Sequence, residues 1–219
     1  MQTRVKQVYI TYNMSKNIVF TEVLGTFFLT LIIAFTGNPF AVGAVLIALV
    51  YSGGPVSGAH YNPAVSLAQF IAKRISSRDL VFYVLSQIVG AVLASLAFFL
   101  IVGSPFLLTP NPQATNIQIA FAEGIFTFIL AFVVLSVTAK AVKNNQYFGL
   151  AIGLIVMAGA FAVGGISGGI FNPAVAISSI ALDIKNIQSS LNYLAIFVSA
   201  QLVAGIVAGL ASKLQNNKS

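Results

Sequence analysis

The segment Gly54-Pro55-Val56-Ser57-Gly58-Ala59-His60-Tyr61-Asn62-Pro63-Ala64-Val65 returns in altered form as Gly164-Gly165-Ile166-Ser167-Gly168-Gly169-Ile170-Phe171-Asn172-Pro173-Ala174-Val175. No other feature of the chain restricts its fold so tightly. A second echo sets Glu22-Val23-Leu24-Gly25-Thr26-Phe27-Phe28 beside Glu123-Gly124-Ile125-Phe126-Thr127-Phe128, and a looser third pairs Tyr83 and Gln87 with Phe197 and Gln201. Apolar runs cover residues 18–36, 39–52, 80–102, 117–139, 147–163 and 191–211. These read as six helices that cross a bilayer, the second and fifth of them short. Each short one leads into a glycine-rich stretch and a further apolar run, 62–72 or 172–182, too short to cross. The order helix, helix, half-helix, helix therefore occurs twice, over about 17–103 and 117–212.

Composition agrees with a polytopic membrane protein. The chain of 219 residues is 58% hydrophobic and only 7% charged, whereas an average soluble domain carries roughly a quarter charged residues. With no Cys, disulfides, thiolate catalysis and Cys-ligated zinc are excluded. The lone His60 and the acids Glu22, Asp79, Glu123 and Asp183 are too few and too scattered for a metal cluster or a Ser-His-Asp triad. The expectation is no enzyme, no metal and no cofactor.

The net charge of +7 does not point to nucleic acid, because the basic residues lie between apolar runs rather than on one exposed face. Six spans alternate the loops. Arg4, Lys6, Lys16, Lys73, Arg74, Arg78, Lys140, Lys143, Lys213 and Lys218 then share one side, with Lys185 alone opposite. The positive-inside rule puts both termini in the cytoplasm of a cell membrane, plasma or inner. The basic N-terminus resembles a signal peptide, but its apolar run continues into a full span without a small-residue cleavage site. Met1 and Met14 both remain available as starts.

Three spans per copy is an odd number, so the second copy enters from the opposite face, and the halves are inverted repeats. Non-helical backbone at bilayer depth is tolerated only where it is buried or lines a wet cavity. The two half-helices are thus expected to meet at the midplane around a pathway. Asn is a favoured N-cap, Pro suits the first helical position, and Ala costs nothing inside a helix. Asn62-Pro63-Ala64 and Asn172-Pro173-Ala174 are compact helix starts that aim two positive dipole ends at one point. Their amides add donors to the lumen. Such a site admits neutral hydrogen-bonding solutes and disfavours cations and proton wires. Asn38-Pro39 and Ser76-Ser77-Arg78-Asp79 read as further helix starts.

On these motifs the chain resembles the aquaporin, or major intrinsic protein, family, over about residues 16–213. The residues carrying the likeness are Ser57 to Val65, Gly168 to Ala174, and the acid-bearing helix starts at 21–28 and 122–128. The resemblance implies an all-α membrane protein, a right-handed bundle of six transmembrane helices plus two re-entrant half-helices. It also implies a single channel domain over 1–219, one pore per subunit, a homotetramer in the lipid bilayer, and passive flow of water or small uncharged solutes. Most of the family carries Arg directly after the second Asn-Pro-Ala, where this chain has Val175. Counting from the motifs, the other positions of the outer selectivity filter are Val42, Ala160 and Gly169. A shift of register would bring in Phe40 or Phe161.

A filter of Val42, Ala160, Gly169 and Val175 is small and apolar, so a wide pore for glycerol, urea or metalloid hydroxides is expected alongside water. A water-selective channel is the alternative. Glu22 and Glu123 are read as supports accepting hydrogen bonds from the half-helix loops, against a proton relay. His60 is read as a wall residue at the cytoplasmic mouth, against a protonation gate. Gly149/Gly153 and Gly205/Gly209 are small-xxx-small pairs for close helix packing. A secondary transporter built on broken inverted repeats is a more distant alternative.

Overall fold

Side-chain caps decide where most of the helices begin. In the computed structural model, which describes residues 16–142, 144–183 and 187–216, the order is α1 (Lys16–Thr36), α2 (Pro39–Ser57), α3 (Pro63–Ile71), α4 (Ser77–Val102), α5 (Asn116–Val137), α6 (Phe148–Ser167), α7 (Pro173–Ile180) and α8 (Ile187–Asn216). Arg4, Lys6, Lys143, Lys185, Lys218 and the two candidate starts lie outside the described residues. Asn38 caps α2 by accepting from the N–H of Phe40 at 2.9 Å, with Pro39 at the first position. Ser76 and Asp79 close a reciprocal capping box on α4, and Thr115 and Gln118 do the same on α5.

Among the described residues, six helices are long and apolar enough to cross a membrane, and α3 and α7 are short. Large apolar side chains such as Phe20, Leu100, Ile117, Phe121 and Val203 point outward. Water would not tolerate so extensive an apolar exterior, and lipid requires one. The protein is an integral, multi-pass membrane protein.

The second and fifth spans are longer than the sequence suggested. They run through their glycines to Ser57 and Ser167 and end at Gly58 and Gly168, whose left-handed φ values are 83° and 97°. The N–H of each capping glycine donates to the carbonyl of Gly54 or Gly164 at 3.0 Å. Gly53 is therefore no helix breaker. A Cβ there would lie 1.7 Å from the Tyr61 hydroxyl, so glycine clears space for that ring.

The halves interlock. Helix α1 packs on α4 and α5 on α8, while α3 lies mainly against α8 and α7 against α4. Each half-helix is thus held by the last long helix of the other half. Small residues permit the approach, since a Cβ on Gly205 would sit 2.5 Å from the Ala64 carbonyl oxygen and one on Gly209 2.6 Å from Ile71 Cβ. Across the centre, Gly153 faces the carbonyl of Gly43 at 2.6 Å by the same measure.

Candidate pore

The loops that precede the half-helices share one backbone design. Tyr61 and Phe171 have φ of 49° and 51°, in the left-handed region that non-glycine residues seldom occupy. Ala59 and Gly169 take positive φ as well, at 51° and 66°. The alternation turns two successive N–H groups toward one point, and a buried carboxylate stands there in each half.

Glu22 Oε1 accepts from Ser57 Oγ at 2.6 Å and the His60 N–H at 3.0 Å, while its Oε2 accepts from the Tyr61 N–H and Gln87 Nε2, both at 2.8 Å. Glu123 repeats the set with Ser167 Oγ at 2.6 Å, Ile170 N–H at 3.1 Å, and Phe171 N–H and Gln201 Nε2, both at 2.7 Å. Both side chains are fully buried. With each carboxylate engaged by donors from three directions, their geometry is that of a loop support.

Each Asn-Pro-Ala starts its half-helix. Asn62 Oδ1 accepts from the Ala64 N–H at 2.9 Å, and Asn172 Oδ1 from the Ala174 N–H at 3.0 Å. The same amides tie the halves together. Asn62 Nδ2 donates to the Phe171 carbonyl at 2.7 Å and Asn172 Nδ2 to the Tyr61 carbonyl at 2.9 Å. Since an amide nitrogen carries two N–H donors, one of each pair is committed across the junction and the other is left for the lumen.

Both asparagines line a cavity between the halves. The remaining wall is His60, apolar residues of α1, α2, α3, α5 and α6 with Val42 among them, and Ala59, Gly169 and Ile170 from the two loops that precede the half-helices. Two helix N-termini thus face a space walled mostly by carbon.

The expected filter residues separate in the structure. Val42 and Gly169 line the cavity. Ala160 is half-buried and abuts Gly169, whose missing Cβ would lie 3.1 Å from Ala160 Cα. Val175 has no accessible surface, so it does not itself touch the lumen. It packs with Phe106, Ile119, Ile170, Ala176 and Phe197. Phe40 and Phe161 are exposed and stack edge-on with centroids 4.9 Å apart, away from the cavity.

His60 has its Nδ1 3.0 Å from Ser66 Oγ and its ring stacked on Tyr83 at 4.3 Å. Sequence reasoning passed over Tyr61. Its ring fills the space left by Gly25 and Gly53, and its hydroxyl donates to the Leu49 carbonyl at 3.0 Å. The signal available was a large aromatic beside the motif with glycines in two neighbouring helices.

An all-helical membrane bundle whose two halves each send a half-helix to a shared polar junction has the aquaporin fold, that of a pore rather than of an enzyme. The chain belongs to the major intrinsic protein family, whose model, "Major intrinsic protein", matches residues 11–212. Members of that family are passive channels and not enzymes. The chain is 32% identical over 213 residues to "Glycerol uptake facilitator protein-like 6" of Lactiplantibacillus plantarum, covering 90% of this chain and 97% of that one. It is 33% identical over 172 residues to "Aquaporin NIP1-1" of Zea mays, covering 71% of this chain and 61% of the plant protein. Among solved structures, the aquaglyceroporin from Plasmodium falciparum superposes with a TM-score of 0.78 at 22% identity, over 89% of this chain and 93% of that one. That last likeness concerns the fold alone.

Proposed function

We propose that the protein is a passive channel that conducts water and small uncharged solutes of the glycerol, urea or metalloid hydroxide type. The observation carrying this reading is the cavity at the junction of α3 and α7, where Asn62 and Asn172 supply the donors. Val42 and Gly169 put no bulky or charged group on its wall. The resemblance to a protein named as a glycerol uptake facilitator supports the solute range. Val42, Ala160, Gly169 and Val175 form the outer filter in this reading, Val42 and Gly169 at the lumen and the other two behind. The chain acts as one channel domain over 1–219, as a homotetramer in the cell membrane with both termini cytoplasmic.

A water-selective channel is the second reading. It is favoured by the apolar cluster around Val175, where Phe106, Ile119 and Phe197 fill the space beside a side chain shorter than arginine. Stopped-flow light scattering on proteoliposomes separates the two. An impermeant sugar and glycerol are applied as osmotic shocks to the same vesicles. Fast shrinkage followed by re-swelling in glycerol is expected, and glycerol flux no greater than in empty vesicles would leave the water-selective reading standing.

A further inference from the structure

The two halves of the pore wall share a backbone but not a chemistry. In the first half, the residue two places before the capping asparagine is His60. Its ring rests on Tyr83, its Nδ1 meets Ser66 Oγ at 3.0 Å, and Ser66 accepts from Gln87 Nε2 at 2.9 Å. The Tyr83 hydroxyl closes the cluster by donating to the Ser57 carbonyl. The matching places in the second half are Ile170, Ala176 and Phe197. None of these side chains can donate or accept a hydrogen bond, and with Val175, Phe106 and Ile119 they pack into one apolar cluster. The backbone design and its anchor are retained, with the left-handed Gly168 and the carboxylate of Glu123 that holds the Ile170 N–H.

We infer that Ile170 is a specificity-determining residue of this channel and that it sets the second constriction, with Val175 acting behind it. Three observations place it there. Ile170 lines the same cavity as His60, Asn62 and Asn172. The preceding Gly169 has no side chain and lies against Ala160, so Ile170 is the first residue of that loop able to bring carbon to the lumen. Val175, at the position the family pattern singles out, is sealed from the lumen.

A solute beside His60 meets a ring that carries polar atoms. Beside Ile170 it meets an aliphatic side chain. Water loses hydrogen bonds at that level, while a solute with C–H surface loses fewer. At these two matching places the first half gives the wall a polar ring and the second an aliphatic side chain. Which solutes cross is decided at the second.

This inference rests on the channel reading, and its test is chosen so that the two can fail separately. Water and glycerol permeabilities are measured in the same proteoliposomes for the wild type, Ile170→Ala, and the double variant Ile170→His/Ala176→Ser, which installs the first half's pair in the second. Oligomer size and yield establish that each variant is folded, and Ile170→Val provides the readout in a smaller step if Ile170→Ala is not.

Ile170→Ala should raise glycerol relative to water by roughly tenfold, the low end of what a few methylenes decide in an apolar site. The double variant should move the ratio the other way. Ratios unchanged within about twofold in folded variants would overturn the role of Ile170. A wild type that conducts neither water nor glycerol would instead overturn the channel reading. A wild type that conducts water alone, with glycerol flux appearing in Ile170→Ala, would support Ile170 and remove the wide pore.

Discussion

At Glu22 and Glu123 a residue's charge is used to shape backbone. Each buried carboxylate gathers two consecutive N–H groups, a serine hydroxyl and a glutamine amide. Glu22→Gln would turn one acceptor oxygen into a donor facing donors. Hydrogen bonds to charged groups contribute about 1.5 to 3 kcal/mol each, so the substitution should cost on the order of 2 to 3 kcal/mol. The expected result is a lower melting temperature in detergent and less intact oligomer, with the glycerol-to-water ratio of the surviving protein unchanged. Normal stability with altered selectivity would place Glu22 in the permeation path instead. The equivalence of the two acids was legible in the sequence because they fall at matching places in a duplicated chain. The second task of Asn62 and Asn172 was not, because a cap is a local pattern of three residues. The bonds from their amides to Phe171 and Tyr61 join positions more than a hundred residues apart.

Among the elements, the half-helices and most helix starts were readable, since capping chemistry is local. The ends of α2 and α6 were not. Glycine carries two meanings, freedom of backbone and absence of Cβ, and the sequence alone does not say which one a position uses. At Gly58 the left-handed φ of 83° requires the first, while at Gly25 and Gly53 the Tyr61 ring requires the second. The packing makes a differential rescue testable. A Cβ on Gly53 meets chiefly the Tyr61 hydroxyl, at 1.7 Å, whereas one on Gly25 meets the ring itself, at 2.1 Å. Gly53→Ala should lower yield and flux and be partly restored by adding Tyr61→Phe, but Gly25→Ala should not be restored. Equal rescue at both positions would show that the ring shifts as a whole. Arg74 was also illegible as more than a topological charge. From the loop after α3 its guanidinium donates to the Leu135 carbonyl at 2.8 Å and Thr138 Oγ1 at 3.3 Å, capping the end of α5. A cation at a helix C-terminus contributes about 0.3 to 1 kcal/mol, and a point-charge lysine does not reproduce a two-armed contact. Arg74→Ala is therefore expected to destabilise by about 1 kcal/mol, with Arg74→Lys between it and wild type in thermal unfolding.

For the whole molecule, the inverted repeat decides how a pore without a filter arginine treats ions. The N-termini of α3 and α7 meet at one junction, and each carries roughly half a positive charge. A cation entering there would lose its hydration shell against two like-signed dipoles and a wall mostly of carbon. The cross-bonds from Asn62 and Asn172 hold the two helix starts at one junction, so in the proposed channel exclusion by the fold, with Val175 in place of arginine, is the expected outcome. A transporter with the same broken-helix plan would need a coupling-ion site, yet Glu22 and Glu123 each already accept from two loop N–H groups, a serine hydroxyl and a glutamine amide of their own half. Wild-type vesicles should accordingly show solute flux that is linear in gradient, indifferent to sodium and to pH between about 6 and 8, and potassium leak at the level of empty vesicles. Asn172→Asp tests the electrostatic part directly. Aspartate caps a helix about as well as asparagine, so α7 should still form. The substitution removes the donor to the Tyr61 carbonyl and sets a negative charge against the dipole ends. Potassium efflux, read with a fluorescent indicator, should then rise above the wild-type level while water flux persists. Leak already present in wild type and unmoved by Asn172→Asp would mean that the facing half-helices do not supply the barrier and that exclusion was lost along with the arginine.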